Sequence, residues 1–155
     1  NARRHLTNHS SRRLRRGSTQ ALDREESVNT EYELDPGDLA EKIRTALNWV
    51  PVNSQVAVAS GFRCEYCGLD MLQSLEAYFS WQIDQIQPAG GYTPENCALA
   101  CRTCNHLKHS RRPNGATREE KIADAWDDIQ RKRVERQAEL DQLRQLIGYA
   151  GAEHA

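Results

Sequence analysis

Cys64-Glu65-Tyr66-Cys67 and Cys101-Arg102-Thr103-Cys104 are two matched Cys-x-x-Cys knuckles, and the stretch they bracket decides the fold. Each two-residue spacer folds back tightly enough for both sulfurs to face one ion. The pair can therefore give four thiolates to a single tetrahedral Zn²⁺. Such an ion closes a loop, and the loop contains Trp81-Gln82-Ile83-Asp84-Gln85-Ile86-Gln87-Pro88-Ala89-Gly90-Gly91 and then Asn96. Asn105-His106-Leu107-Lys108 runs straight out of the second knuckle. The chain has 5 cysteines, and the paired spacings with an odd count favour a metal site over a disulfide framework. The cysteine left over, Cys97, lies in the apolar run Cys97-Ala98-Leu99-Ala100 and reads as a small buried hydrophobe.

These residues resemble the HNH endonucleases. The pattern of that family runs Asp-His-Ile-x-Pro, a Gly-Gly turn, an Asn, then Cys-x-x-Cys-Asn-x-x-Lys. Asp84 fits its first metal ligand, Gly90-Gly91 the turn, Asn96 the central asparagine and Asn105 the last ligand position. The resemblance covers Gly61 to Arg112. It implies an α+β fold, a small ββα-metal domain stapled by structural zinc through Cys64, Cys67, Cys101 and Cys104. It also implies a catalytic Mg²⁺ or Mn²⁺ on Asp84 and Asn105, whose hard oxygen ligands suit such an ion. Asn96 takes the catalytic-motif position that orients the base or holds the loop. Lys108, with His109, Arg111 and Arg112, makes a basic cluster placed for DNA phosphates.

The family histidine is Gln85 in this chain. An imidazole accepts the proton of the attacking water because its pKa lies near working pH, and a glutamine amide has no basic form there. Loss of a positioned general base costs on the order of 10²- to 10⁴-fold. Cleavage should thus be suppressed while metal and DNA binding persist. The completeness of the rest of the motif favours a change aimed at cleavage alone over decay of the whole site.

The formal net charge is -1, from 21 Lys+Arg against 22 Asp+Glu, but the average conceals segregation. Arg3, Arg4, Arg12, Arg13, Arg15 and Arg16 precede any acid, and Asp23, Glu25, Glu26, Glu31, Glu33, Asp35 and Asp38 follow. Arg12, Arg13, Arg15 and Arg16 read either as a solvated tail or as an arm that tracks phosphates. With 38% hydrophobic residues and a mean hydropathy of -0.81, the core is small for the length, and a zinc site offsets part of that deficit. No apolar run approaches the roughly 20 residues of a membrane span, and no signal-peptide core is seen. The expectation is a cytoplasmic, intracellular protein with DNA as its partner.

The organisation expected along the chain is a basic arm and acidic linker over 1–34, a helical segment over 35–60, the zinc domain over 61–112 and a helical extension over 117–148. Leu39, Ile43, Ala46, Leu47 and Val50 recur at helical spacing, with Pro51 as the stop, and a short second helix spans 53–60. Residues 78–86 read as the first strand, 96–100 as the return strand and 102–109 as a helix carrying Asn105. Thr117-Arg118-Glu119-Glu120 has the form of a capping box opening a long helix. Its apolar side begins as Ile122, Trp126 and Ile129 and resumes as Leu140, Leu143 and Ile147, interrupted by Arg133 and Arg136. The first stripe should pack on the zinc domain; the second either packs back or joins a homodimer or larger complex. The function expected is a metal-dependent DNA endonuclease or nickase weakened by Gln85. Its rivals are a non-catalytic zinc DNA-binding module and a helical interaction subunit with a zinc scaffold.

Overall fold

The computed structural model describes residues 35–149; the arm over 1–34, with Arg12, Arg13, Arg15 and Arg16, lies outside the described residues. The element order is α1 (Pro36–Leu47), α2 (Pro51–Ala59), α3 (Leu75–Ser80), β1 (Trp81–Gln85), a 3-10 turn (Pro94–Asn96), β2 (Cys97–Cys101), α4 (Arg102–Lys108) and α5 (Arg118–Leu146). The class is α+β. Among the described residues no helix is long and apolar enough to cross a membrane.

Strands β1 and β2 form an antiparallel pair with Trp81 opposite Cys101, Ile83 opposite Leu99 and Gln85 opposite Cys97. The chain then turns directly into α4, which packs on both strands, giving a ββα unit. All five residues of β2 are buried, because α2 lies against that strand and α4 crosses it. Around β2 the core gathers Val56, Met71, Ile86, Leu99, Ala125 and Ile129. The first knuckle is welded to it: Glu65 donates its backbone N–H to Leu99 O at 2.8 Å, and Leu99 N–H returns a bond to Glu65 Oε1 at 2.9 Å.

Several boundaries differ from the sequence expectation. Pro51 does not stop the first helix. Asn48, in the left-handed region at φ 53°, ends α1, and Pro51 opens α2 at a position where a missing N–H is harmless. The aromatic run expected as strand from Tyr78 begins as helix α3, because Ser74 caps it by accepting from Ala77 N–H at 3.1 Å. Only from Trp81 does the backbone extend. The capping box forms as expected: Thr117 Oγ accepts from Glu120 N–H and the Glu120 carboxylate accepts from Thr117 N–H.

Helix α5 is 29 residues long, about 43 Å at 1.5 Å per residue. Ala125 and Ile129 are buried and Ile122 and Trp126 pack against the core. Arg118 fastens its start to Glu65 at 2.7 Å, and Lys132 Nζ donates to Leu107 O at 2.8 Å. Beyond this point the apolar stripe does not pack back on the described residues; Leu143 and Ile147 are 53% and 65% exposed.

Candidate functional site

The sulfurs of Cys64, Cys67, Cys101 and Cys104 all lie within 4.8 Å of one another. Four sulfurs about 2.3 Å from a common ion at tetrahedral angles sit about 3.8 Å apart, and Cys67 Sγ and Cys101 Sγ are 3.8 Å apart. None of the four is in a disulfide. Backbone N–H groups point at the sulfurs: Cys101 N–H at Cys64 Sγ (3.3 Å), Cys104 N–H at Cys101 Sγ (3.4 Å) and Cys67 N–H at Cys64 Sγ (3.5 Å). Hydrogen bonds from the Cys104 and Cys64 thiols push the Cys101 thiol well below its usual range. Arg133 Nη2 of α5 comes within 3.8 Å of Cys104 Sγ, with the guanidinium 5.9 Å from the Trp126 ring centre. The set suits one soft, tetrahedral metal ion such as zinc. Cys97, fully buried in β2, takes no part.

A second centre lies where α4 crosses β1. A cleft of about 650 Å³ is lined by Asp84, Gln85, Asn105, His106 and His109, with Gln82 beneath. The structure therefore brings Asp84, Gln85 and Asn105 to one surface. Asn105 Nδ2 donates to Gln82 Oε1 at 2.5 Å. Asp84 is 6% exposed and its oxygens are taken up from within: Tyr66 Oη donates at 2.5 Å, and Lys108 Nζ lies 3.1 Å from both. Burial pushes the Asp84 carboxyl upward, opposed by the Tyr66 hydrogen bond and the Lys108 charge. Tyr66 itself is pushed far upward by burial and by the neighbouring carboxylate, so its phenol remains a donor.

Two expected site residues, Lys108 and Arg111, are placed differently. Lys108, expected on the surface for DNA phosphate, has a side chain 0% exposed. It turns inward because Asp84 and the carbonyl of Gln85, at 2.7 Å, give its ammonium the partners a buried charge requires. Arg111 is committed to α5 through Asp124 at 2.7 Å and Asp128 at 3.4 Å. Asn96 does not line the cleft and holds the loop, one of the two roles expected of it. Its side chain accepts from Gln87 N–H at 3.0 Å and donates to Gln87 O and Gly91 O at 2.9 and 2.8 Å. A Cβ at Gly90 would come within 2.7 Å of Asn96 Cγ, so the Gly-Gly turn leaves room for this amide. Arg112 is exposed.

Tyr66 and Gln82 escaped the sequence reading. Tyr66 is a spacer residue of the first knuckle, and only the fold carries its hydroxyl to a carboxylate 18 residues on. Gln82 sits two residues before Asp84 on the same strand, and that alternation is the one signal that could have found it.

Residues 64–111 match the HNH endonuclease family. The matched segment, about a third of the chain, contains all four clustered cysteines together with Asp84, Gln85 and Asn105. No curated protein and no solved structure matches the chain.

Proposed function

We propose, with the HNH endonuclease match as premise, that this chain acts on DNA by metal-dependent phosphodiester hydrolysis and that Gln85 holds the hydrolytic step down. The observation that carries this reading is the convergence of Asp84, Gln85 and Asn105 on one cleft inside the matched segment. Zn²⁺ on the four cysteines is the structural ion. Asp84 and Asn105 offer oxygen donors of the kind Mg²⁺ or Mn²⁺ takes. The Asp84 charge is already balanced by Lys108, so phosphate has to bring the negative charge that holds a divalent ion there. When bound, that ion stabilises charge on the phosphoryl and leaving oxygens.

The chain's own residues then divide the remaining tasks. Tyr66 and Lys108 fix the Asp84 carboxylate in one orientation. Asn96 fixes the loop after β1, and Arg112 offers an exposed cation to phosphate. The Gln85 amide can hydrogen-bond a water but cannot take its proton. A second reading, a DNA-binding module without cleavage, is favoured by glutamine at the base position and by a carboxylate already neutralised from inside.

Plasmid nicking by the chain and by Gln85→His, in Mg²⁺ and in Mn²⁺, separates the two. Restoration of cleavage by about 10² or more supports the nuclease reading. DNA binding with a steep salt dependence and no nicking by Gln85→His at any mildly acidic to mildly alkaline pH transfers the assignment to the binding module. Absence of DNA binding by either protein overturns both.

A further inference from the structure

A groove between α4 and α5 adjoins the cleft. This groove, about 570 Å³, is lined by Arg102, His106 and Leu107 of α4 and by Arg133, Arg136 and Leu140 of α5. Arg102 and His106 line the cleft as well, so the two depressions share a wall. Among the described residues that line the groove there is no carboxylate, although the chain as a whole has more acids than bases. The positive charge here is therefore a local arrangement.

The arginines also differ in how firmly they are engaged. Arg133 is half-buried, held between Trp126 and Cys104 Sγ. Arg102 is exposed. Arg136 is 68% exposed and pairs at 2.6 Å with Glu139, itself 61% exposed. A pair so open to water contributes little and is readily exchanged for a stronger anion. Guanidinium groups favour phosphate in particular, because their planar donors match its oxygens in pairs. Leu107 and Leu140 add apolar surface against which a sugar can rest.

We propose that this groove seats the sugar-phosphate backbone of a DNA strand as it leaves the cleft, with Arg102 and Arg136 as phosphate contacts. The interruption of the apolar stripe of α5 at Arg133 and Arg136 then has a purpose: the helix changes there from packing on the core to facing nucleic acid. The inference rests on the DNA reading above and adds the path of the strand.

The test uses the full chain, a short fluorescent DNA duplex and affinities measured over a series of salt concentrations. Each lost phosphate contact lowers the slope of log affinity against log salt by about 0.9. Arg136→Gln should lose about one such unit and Arg102→Gln/Arg136→Gln about two. Arg144→Gln removes the same charge from a part of α5 outside the groove and should leave the slope unchanged. Glu139→Gln frees Arg136 and should tighten binding about two- to fivefold, the range an exposed pair allows. That gain cannot come from a damaged fold. An unchanged slope in the double variant, or an equal loss in Arg144→Gln, overturns the groove while leaving the DNA reading intact. Absence of DNA binding by the parent chain overturns both.

Discussion

Helix α4 serves two centres, and they are built on opposite principles. Its N-cap Cys101 and first-turn Cys104 belong to the four-thiol cluster, and its next turn gives Asn105 and Lys108 to the cleft. At the cluster, the sulfurs of the described residues meet backbone N–H groups, one another and Arg133. Four thiols within 4.8 Å of one another could also hold one soft cation among them. At the cleft the negative charge of Asp84 already has its cation in Lys108 and its hydrogen bond from Tyr66. The first centre could take an ion from outside; the second has its charge balanced from within.

Metal removal is the strongest way to break that comparison, and it has the largest expected effect. Structural zinc in small domains contributes apparent binding free energies of about 10–16 kcal/mol to folding, far more than a chain with so small a core can lose. A strong chelator, or Cys104→Ser, should abolish the cooperative thermal transition followed by circular dichroism. Asp84→Asn strands the Lys108 charge and should lower the midpoint of that transition, but should keep it cooperative and leave the zinc content in place. A chelated protein that melts as before would show that the cluster is no structural centre. Loss of zinc from Asp84→Asn would show that the two centres are not independent.

Next in size is the inward lysine. Removing one partner of a buried ion pair leaves an uncompensated charge and costs about 3–5 kcal/mol. Lys108→Met keeps the length of the side chain and should destabilise by about that amount in chemical denaturation. Pairing it with Asp84→Asn removes the stranded charge, and most of the stability should return. If Lys108→Met instead unfolds like the parent and flattens the salt dependence of DNA binding, Lys108 belongs to the phosphate-contacting surface after all.

What the sequence disclosed follows the range of the interactions concerned. The two Cys-x-x-Cys knuckles and the Thr117 to Glu120 capping box are each spelled out within four residues, and both are legible without a fold. The match of Asp84, Gln85 and Asn105 to one motif likewise put three residues together that the structure brings to one cleft. Lys108 shows the limit. Its place in the motif says that it belongs beside the site, but only the crossing of α4 over β1 decides whether its ammonium points to solvent or to a carboxylate 24 residues earlier. Residues 78–80 show another, where aromatic strand propensity was outweighed by a helix that Ser74 caps. The distal stripe of α5 has helical period all along, yet period alone does not say whether a partner surface exists.

The smallest effect concerns the strap that holds α5 over both centres. Asp128 is buried on α5, with Lys132 Nζ 2.7 Å and Arg131 Nη2 2.6 Å from its oxygens and Arg111 Nη1 at 3.4 Å. Lys132 first, then Arg131 and Arg111, hold its carboxyl below the ordinary 3.8, against the opposing effect of burial. The unfolded chain therefore takes up this proton at higher pH than the folded chain does. The stabilisation is complete above the ordinary carboxylate range and is lost as pH falls through the depressed pKa. Because its cationic partners are partly in water, Asp128→Asn should cost only about 1 kcal/mol at neutral pH. With zinc in excess, the difference in melting temperature between the parent and Asp128→Asn should be constant from about pH 8 to pH 5 and narrow below that. Loss of metal at low pH affects both proteins alike and cancels in the difference. A gap that widens toward low pH would reverse the sign and show that Asp128 is held in its protonated form, leaving the docking of α5 to the apolar contacts of Ala125 and Ile129.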